Sequence, residues 1–245
     1  MRPAFCTRFT HIRARNTDEI RQGCLSLMRA TAQSVSVITT LLPPMKADHA
    51  HSIYHGATLS SFTSIAMYPH PLVSFSLRTP SQLAESLHHD HSHVPVIPHM
   101  VINLLSATQA HLAVQFSRPR EDPFASASYS LSPEGIPILQ GCLGALSCTL
   151  VGSVSLGGTS REPSGGDTPL QQQREEQGSE LFVARVHRVE KGSSHETGSA
   201  EPPLEHFDQG RLPLVYYHQN YVTIDPARRL TASRTSPFDS NKPKA

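Results

Sequence analysis

Tryptophan is absent from this chain, and charge is scarce. Only 17% of its 245 residues are Asp, Glu, Lys or Arg, and the formal net charge is +1. A near-neutral chain sets up no field that would recruit nucleic acid or an acidic membrane, so neither is expected as a partner. No apolar run approaches the roughly 20 residues that a membrane-spanning helix needs, which points to a soluble chain. The four cysteines, Cys6, Cys24, Cys142 and Cys148, form no Cys-x-x-Cys pair and no zinc-ligand spacing. Free thiols in a reducing compartment are therefore expected, not a disulfide framework. Proline, by contrast, is plentiful. Twenty prolines suit strands and loops better than a helical bundle, and the length suffices for one all-β domain.

Residues 1–17 contain Arg2, Arg8, Arg13 and Arg15 and no carboxylate. This composition fits a mitochondrial presequence or a short basic tail, so mitochondrial and cytoplasmic placements both stay open. A domain over 18–227 follows. Thr17-Asp18-Glu19 opens a helix with acidic residues in its first turn, and Ile20, Leu25, Leu27, Met28 and Ala32 give it an apolar face as far as Gln33. Val35, Val37 and Ile38 then read as a strand, and a polar loop runs from Pro43 to Ser52.

The most distinctive stretch is His55 to Ser81, HGATLSSFTSIAMYPHPLVSFSLRTPS. Gly56 permits close backbone approach, and Thr58, Ser60, Ser61, Thr63 and Ser64 supply hydroxyls that donate and accept. Leu72 to Leu77 favours a strand, so the stretch predicts strand, hydroxyl-rich turn, strand, with a helix over 81–87. Arg78 and Ser81, at the strand end, suit an anion; the alternative for Arg78 is a solvated surface charge. The tract HHDHSHVPVIPH over 88–99 could bind a transition metal or form a surface loop. Its spacing implies no defined geometry, so no metal site is assigned.

Met100–Leu105 reads as a buried strand in which Asn103, the polar exception, must find partners. A helix is predicted over 108–115 with Leu112, Ala113 and Phe116 on its packing side. Residues 124–132 read as a polar loop, and Gly135–Leu139 leads into a long strand over 145–156. Residues 157–179 and 190–209 are polar insertions; disorder is expected for 157–179 and for the tail, 228–245. Leu181–Val186 resumes as a strand, and Leu214–Tyr217 is the last one predicted.

Taken in order, these segments resemble the flavin reductase-like family. The His55–Ser81 stretch carries most of the likeness. Val101-Ile102-Asn103-Leu104-Leu105, Gln109, Leu112-Ala113, Phe116-Ser117, Gly135–Leu139, Ala145–Cys148 and Pro213–Tyr217 with Tyr221 continue it. The resemblance implies a mainly β fold, an antiparallel Greek-key FMN-binding split β-barrel with a few short helices, working as a homodimer. It implies FMN as cofactor, with FAD as the alternative, and NAD(P)H as electron donor. It places Ala57, Thr58, Ser60 and Ser61 against the flavin ring, Asn103 beside the flavin, and Arg78, Ser81, Phe116 and Ser117 toward the phosphate. No side chain is assigned as a catalytic acid or base, because in such enzymes the flavin carries the chemistry.

Two departures weigh on activity. Reductases of this family commonly carry Gly-Asp-His where this chain reads Leu156-Gly157-Gly158-Thr159, and Gly-Glu-Val where it reads Ala184-Arg185-Val186. The expected function is hydride transfer from NAD(P)H to flavin. A non-catalytic flavin-binding or structural protein that retains the barrel is the alternative.

Overall fold

The computed structural model describes residues 17–42, 53–88, 97–118, 122–156, 178–191 and 212–225. The basic segment 1–16, the loop 43–52, the His-rich tract 89–96, nearly all of both polar insertions and the tail lie outside these residues. Helix α1 (Thr17–Arg29) leads through β1 (Gln33–Ser34) into β2 (Ser36–Leu41), which lies inside a seven-stranded antiparallel sheet. The other strands of that sheet are β3 (Tyr54–Leu59), β4 (Thr63–Ala66), β5 (Leu72–Thr79), β6 (Met100–Leu104), β9 (Gly144–Ser155) and β10 (Gly178–Lys191). Their spatial order is β3-β2-β6-β9-β10-β5-β4.

The two edge strands, β3 and β4, are consecutive in sequence and joined by only three residues, 60–62. The sheet must therefore curl until its edges meet, which makes a split barrel. Ser61 fastens this seam: its Oγ accepts from the Ser76 amide at 2.9 Å and donates to the Ser76 carbonyl at 3.2 Å. Ser34 Oγ adds a bond to the Phe62 carbonyl at 3.3 Å.

Alternation along β5 sorts side chains to the two faces. Val73, Phe75 and Leu77 turn into the curl, whereas Ser74, Ser76 and Arg78 turn outward. Inside, Phe75 stacks on Phe182 with ring centroids 5.4 Å apart, and Ile38, Leu59, Met100, Ile102 and Cys148 complete the core. Helix α2 (Gln82–His88) plugs the interior with Leu83, Ala84 and Leu87. Full burial of such side chains stabilises by about 1.5–3 kcal/mol each for the large ones. Ser81 caps α2, its Oγ accepting from the Ala84 amide at 3.1 Å.

A second core lies on the outer side of β2 and β3. A 3-10 turn (Ala107–Gln109) runs into α3 (Ala110–Phe116), which packs Leu112, Ala113 and Phe116 against Val37, Leu105 and Phe124. The hairpin β7 (Tyr129–Leu131) and β8 (Pro137–Leu139) borders it, as does the hairpin β11 (Leu214–Tyr217) and β12 (Asn220–Thr223), whose β11 pairs with β1.

Several expectations change. The polar loop assigned to 124–132 contains β7, and Phe124 is buried among Tyr54, Phe116 and Tyr129 as an aromatic cluster. A strand beyond Tyr217, β12, closes a hairpin through His218 and Gln219, both with positive φ, a turn with no Asn-Gly signal to announce it. Gly178 and Ser179, assigned to the disordered insertion, begin β10 instead, paired with Thr79 and Arg78 of β5. Helix α1 stops at Arg29, not Gln33, and buries none of its residues: Leu27 stays 68% exposed and Ile20 59%. No helix among the described residues is long and apolar enough to cross a membrane.

Candidate functional site

The hydroxyl-rich segment that dominates the sequence runs along the seam. Thr58 ends the half of it that faces α3, donating its Oγ1 to the Ala113 carbonyl at 2.7 Å. Ser60 is exposed, and Ser61 crosses to β5. Beyond the seam, the outer face of β4, β5, β10 and β9 is formed by Thr63, Ser74, Ser76 and Arg78 beside Leu181, Val183 and Val154. The register sets these neighbours: Ser74 opposes Val183, Ser76 opposes Leu181, and Leu181 opposes Val154. No described helix covers this face, and Val154 is 56% exposed.

The face thus offers apolar side chains edged by hydroxyls, with the Arg78 guanidinium at one end. Arg78 is exposed, and no carboxylate pairs with it among the described residues. A planar aromatic ring system with polar edges and a phosphate tail fits this surface. The apolar side chains offer a contact surface to a ring, the serine and threonine hydroxyls offer donors, and Arg78 offers a cation to an anionic group.

The residues expected from sequence divide into two groups. Ser60, Ser61 and Arg78 lie along the seam and outer face. The side chains of the rest are engaged within the fold, as is that of Ser61 through the Ser76 backbone. Ala57 turns into the first core. The Thr58 hydroxyl is committed to α3, leaving only its strand backbone for other work. Ser81 is the α2 cap. Asn103 is fully buried: its Nδ2 donates to the Val37 carbonyl at 3.1 Å and its Oδ1 accepts from the Leu139 amide at 2.9 Å, so it ties β6 to β2 and β8. Phe116 is core. Ser117 is exposed at the end of α3, where its Oγ donates to the Val114 carbonyl at 2.8 Å.

Gly56 also has a different reason from the one its sequence context implies. A Cβ there would meet the Phe116 ring and the Ile38 carbonyl oxygen, each at 3.0 Å, so the close approach is by the protein's own aromatic ring. Sequence reasoning missed Ser76, Leu181, Val183 and Val154. The period-2 alternation of β5 and β10 could have found them, but only once the two strands were known to be neighbours.

The titratable groups do not suggest acid–base chemistry in this surface. Burial pushes the Cys148 thiol up to about 12 and raises Cys142 as well, so neither is a nucleophile. Burial lowers His55, which faces the interior beside Thr40. Among the described residues, no cluster of three His, Cys, Asp or Glu side chains could hold a metal ion.

A curled antiparallel split barrel with a hydroxylated seam and an open outer face places the chain among mainly β barrel domains. The chain belongs to the flavin reductase-like domain family, whose model matches residues 28–225. Among curated relatives, the reductase subunit of a stachydrine N-demethylase from Rhizobium meliloti (strain 1021) is 29% identical over 110 residues, covering 45% of this chain and 44% of that protein. An NADH:FMN oxidoreductase of Rhodococcus erythropolis is 36% identical over 87 residues, covering 35% of this chain and 41% of that protein. The matched region spans less than half the length of these relatives. Among solved structures, component B of a nitrilotriacetate monooxygenase from Mycobacterium thermoresistibile superposes with a TM-score of 0.58 at 19% identity, covering 91% of this chain and 98% of that one. An NADH:FAD oxidoreductase of Streptomyces globisporus, in complex with NAD and FAD fragments, gives 0.57 at 17% identity, covering 86% and 96%.

Proposed function

We propose that the protein is a flavin-dependent oxidoreductase that takes hydride from a nicotinamide nucleotide and delivers it onward as reduced flavin. The observation that carries this reading is the open outer face of β4, β5, β10 and β9, apolar in its floor, hydroxylated at its edge and ended by Arg78. A bound flavin supplies the hydride-accepting ring, and the chain supplies position and electrostatics. Leu181, Val183 and Val154 seat the ring and exclude water from one side of it. Ser60 and Thr63, with the backbone of 58–61, donate to its polar edge. Ser61 holds the seam rigid through Ser76, so these donors are fixed before the ligand arrives. Arg78 binds the phosphate; FMN is the cofactor favoured, with FAD sharing the same anchor.

The protein works as a homodimer in this reading. The uncovered apolar residues of α1, Ile20, Leu27 and Met28, supply the surface a second copy would bury. The test is anaerobic rapid mixing of the flavin-loaded protein with NADH and with NADPH, followed at the flavin absorbance band. Bleaching with either donor supports the proposal. The altered Leu156-Gly157-Gly158-Thr159 segment favours a second reading, a flavin-binding protein without reductase activity. A yellow protein that neither donor bleaches would establish that one.

A further inference from the structure

Beyond the flavin seat, the same outer face ends in a group of basic side chains that the reading above leaves unused. At the far end of β5 from Arg78, Leu72 pairs with Arg185 of β10, and the Val186 amide donates to the Pro71 carbonyl at 3.0 Å. This brings the segment carrying His70 alongside β10. There the strand bulges: Val186 pairs with Cys148 and Arg188 with Ser147, so His187 is the extra residue.

The bulge breaks the inward–outward alternation. Arg185 and His187 face outward as expected, and Arg188, which would otherwise turn into the core, faces outward too. Arg188 is neutralised, bridged to Glu134 at 2.7 Å and paired with Glu190. The neighbouring basic side chains are not. No carboxylate pairs with His70, Arg185 or His187 among the described residues, and the three lie close enough for Arg185 and His70 to disfavour a charge on His187. Thr149 Oγ1 lies 2.8 Å from His187 Nε2. With that hydroxyl donating, the ring proton is on Nδ1 and is presented away from the strand.

We propose that His70, Arg185 and His187 form a phosphate-binding subsite that receives a phosphate group of the pyridine dinucleotide; the assignment of that source rests on the reductase reading. A bulge that gathers a guanidinium and two imidazoles on one face, with Glu134 and Glu190 taken up by Arg188, leaves those three side chains for an anion. A guanidinium flanked by two imidazole donors suits the several oxygens of a phosphate. The position is also apt. Six residues of strand separate Leu72 from Arg78, about 20 Å at 3.3 Å per residue. One anion is thus held at each end of a continuous face, with the apolar floor between them. The flavin phosphate takes Arg78, and the donor's phosphate takes the bulge.

The test is calorimetric titration of the full chain with ADP-ribose, which has the dinucleotide's phosphates but no nicotinamide, and separately with inorganic phosphate and FMN. Arg185→Gln should weaken ADP-ribose binding on the order of tenfold or more, and His70→Gln, in an exposed turn that tolerates change, several-fold. Arg21→Gln on α1 removes the same charge at a distance and should leave ADP-ribose binding unaltered. FMN affinity should be unchanged in both cluster variants.

Wild-type affinity for ADP-ribose in both Arg185→Gln and His70→Gln overturns the proposal. So does an equal loss in Arg21→Gln, which would mean a general field and no site. Weakened inorganic phosphate with unweakened ADP-ribose also overturns it, because the subsite would then serve free phosphate. A chain that shows the predicted ADP-ribose pattern but binds no flavin retains the phosphate subsite and loses the reductase reading.

Discussion

Replacing Arg78 by alanine separates the phosphate anchor from the ring seat. The side chain is exposed on the outer face and free of carboxylate partners among the described residues, so its removal leaves no buried charge unpaired. A hydrogen bond to a charged group contributes about 1.5–3 kcal/mol, and solvent screening at an exposed site cuts this to about 1–2 kcal/mol. At 1.4 kcal/mol per decade, FMN binding should weaken about five- to thirtyfold. Riboflavin has the same ring and no phosphate, so its affinity should stay within a factor of two of wild type, on the order of the 0.5 kcal/mol scatter of a neutral surface change. The assay is quenching of flavin fluorescence in titrations of both ligands, at low salt and again at high salt. The FMN difference should shrink at high salt as the anchor is screened. Equal losses for FMN and riboflavin would refute the reasoning, and so would an FMN affinity that does not move.

Three further perturbations probe the frame that holds this site. Gly56→Ala should cost about 1–3 kcal/mol by forcing a methyl group against Phe116; adding Phe116→Leu should recover part of that loss, and strict additivity in chemical denaturation would contradict the packing role. Arg188→Gln should destabilise by about 1–2 kcal/mol at neutral pH, because it leaves Glu134 and Glu190 without their cation. Arg188 holds the Glu134 carboxyl at about 2, below its ordinary 4.5, so this contribution is full above pH 4.5 and is lost as pH falls toward 2; denaturation midpoints of wild type and variant should converge over that window, and a gap that widens there would count against the pairing. Leu27→Asp on α1 should shift sedimentation from dimer toward monomer without lowering the melting temperature of the monomer; an unaltered dimer would remove α1 from the interface.

The fold was legible through the ordered series of segments that resemble one family, while local signals gave only the elements. Strand-favouring residues marked β5, alternation marked β9, and the serines between Leu59 and Thr63 marked a turn between two strands. The site was legible only in outline. Residue type alone made Thr58, Ser81 and Asn103 as eligible as Ser61 and Arg78. The structure adds where each side chain is engaged: Thr58 by α3, Ser61 by the Ser76 backbone, Ser81 by its own helix and Asn103 by β2 and β8, while Arg78 stands exposed. These are long-range or geometric facts that no spacing encodes. The burial of Phe124 escaped for the same reason, since it depends on partners distant in the chain such as Tyr54, whereas the strand over Asn220–Thr223 escaped because its two-residue turn, His218-Gln219, carries no Asn-Gly signal. Gly56 shows it most sharply, for its neighbour in space, Phe116, lies sixty residues on.

The measurement that tests the central claim most directly is a crystal structure of the protein with FMN bound. The account predicts a ring lying against Leu181 and Val183 on the outer face, its polar edge toward Ser60 and Thr63, and its phosphate on Arg78. A ring lodged inside the curl against Phe75 and Phe182, or one that leaves the β5–β10 face bare, would contradict it.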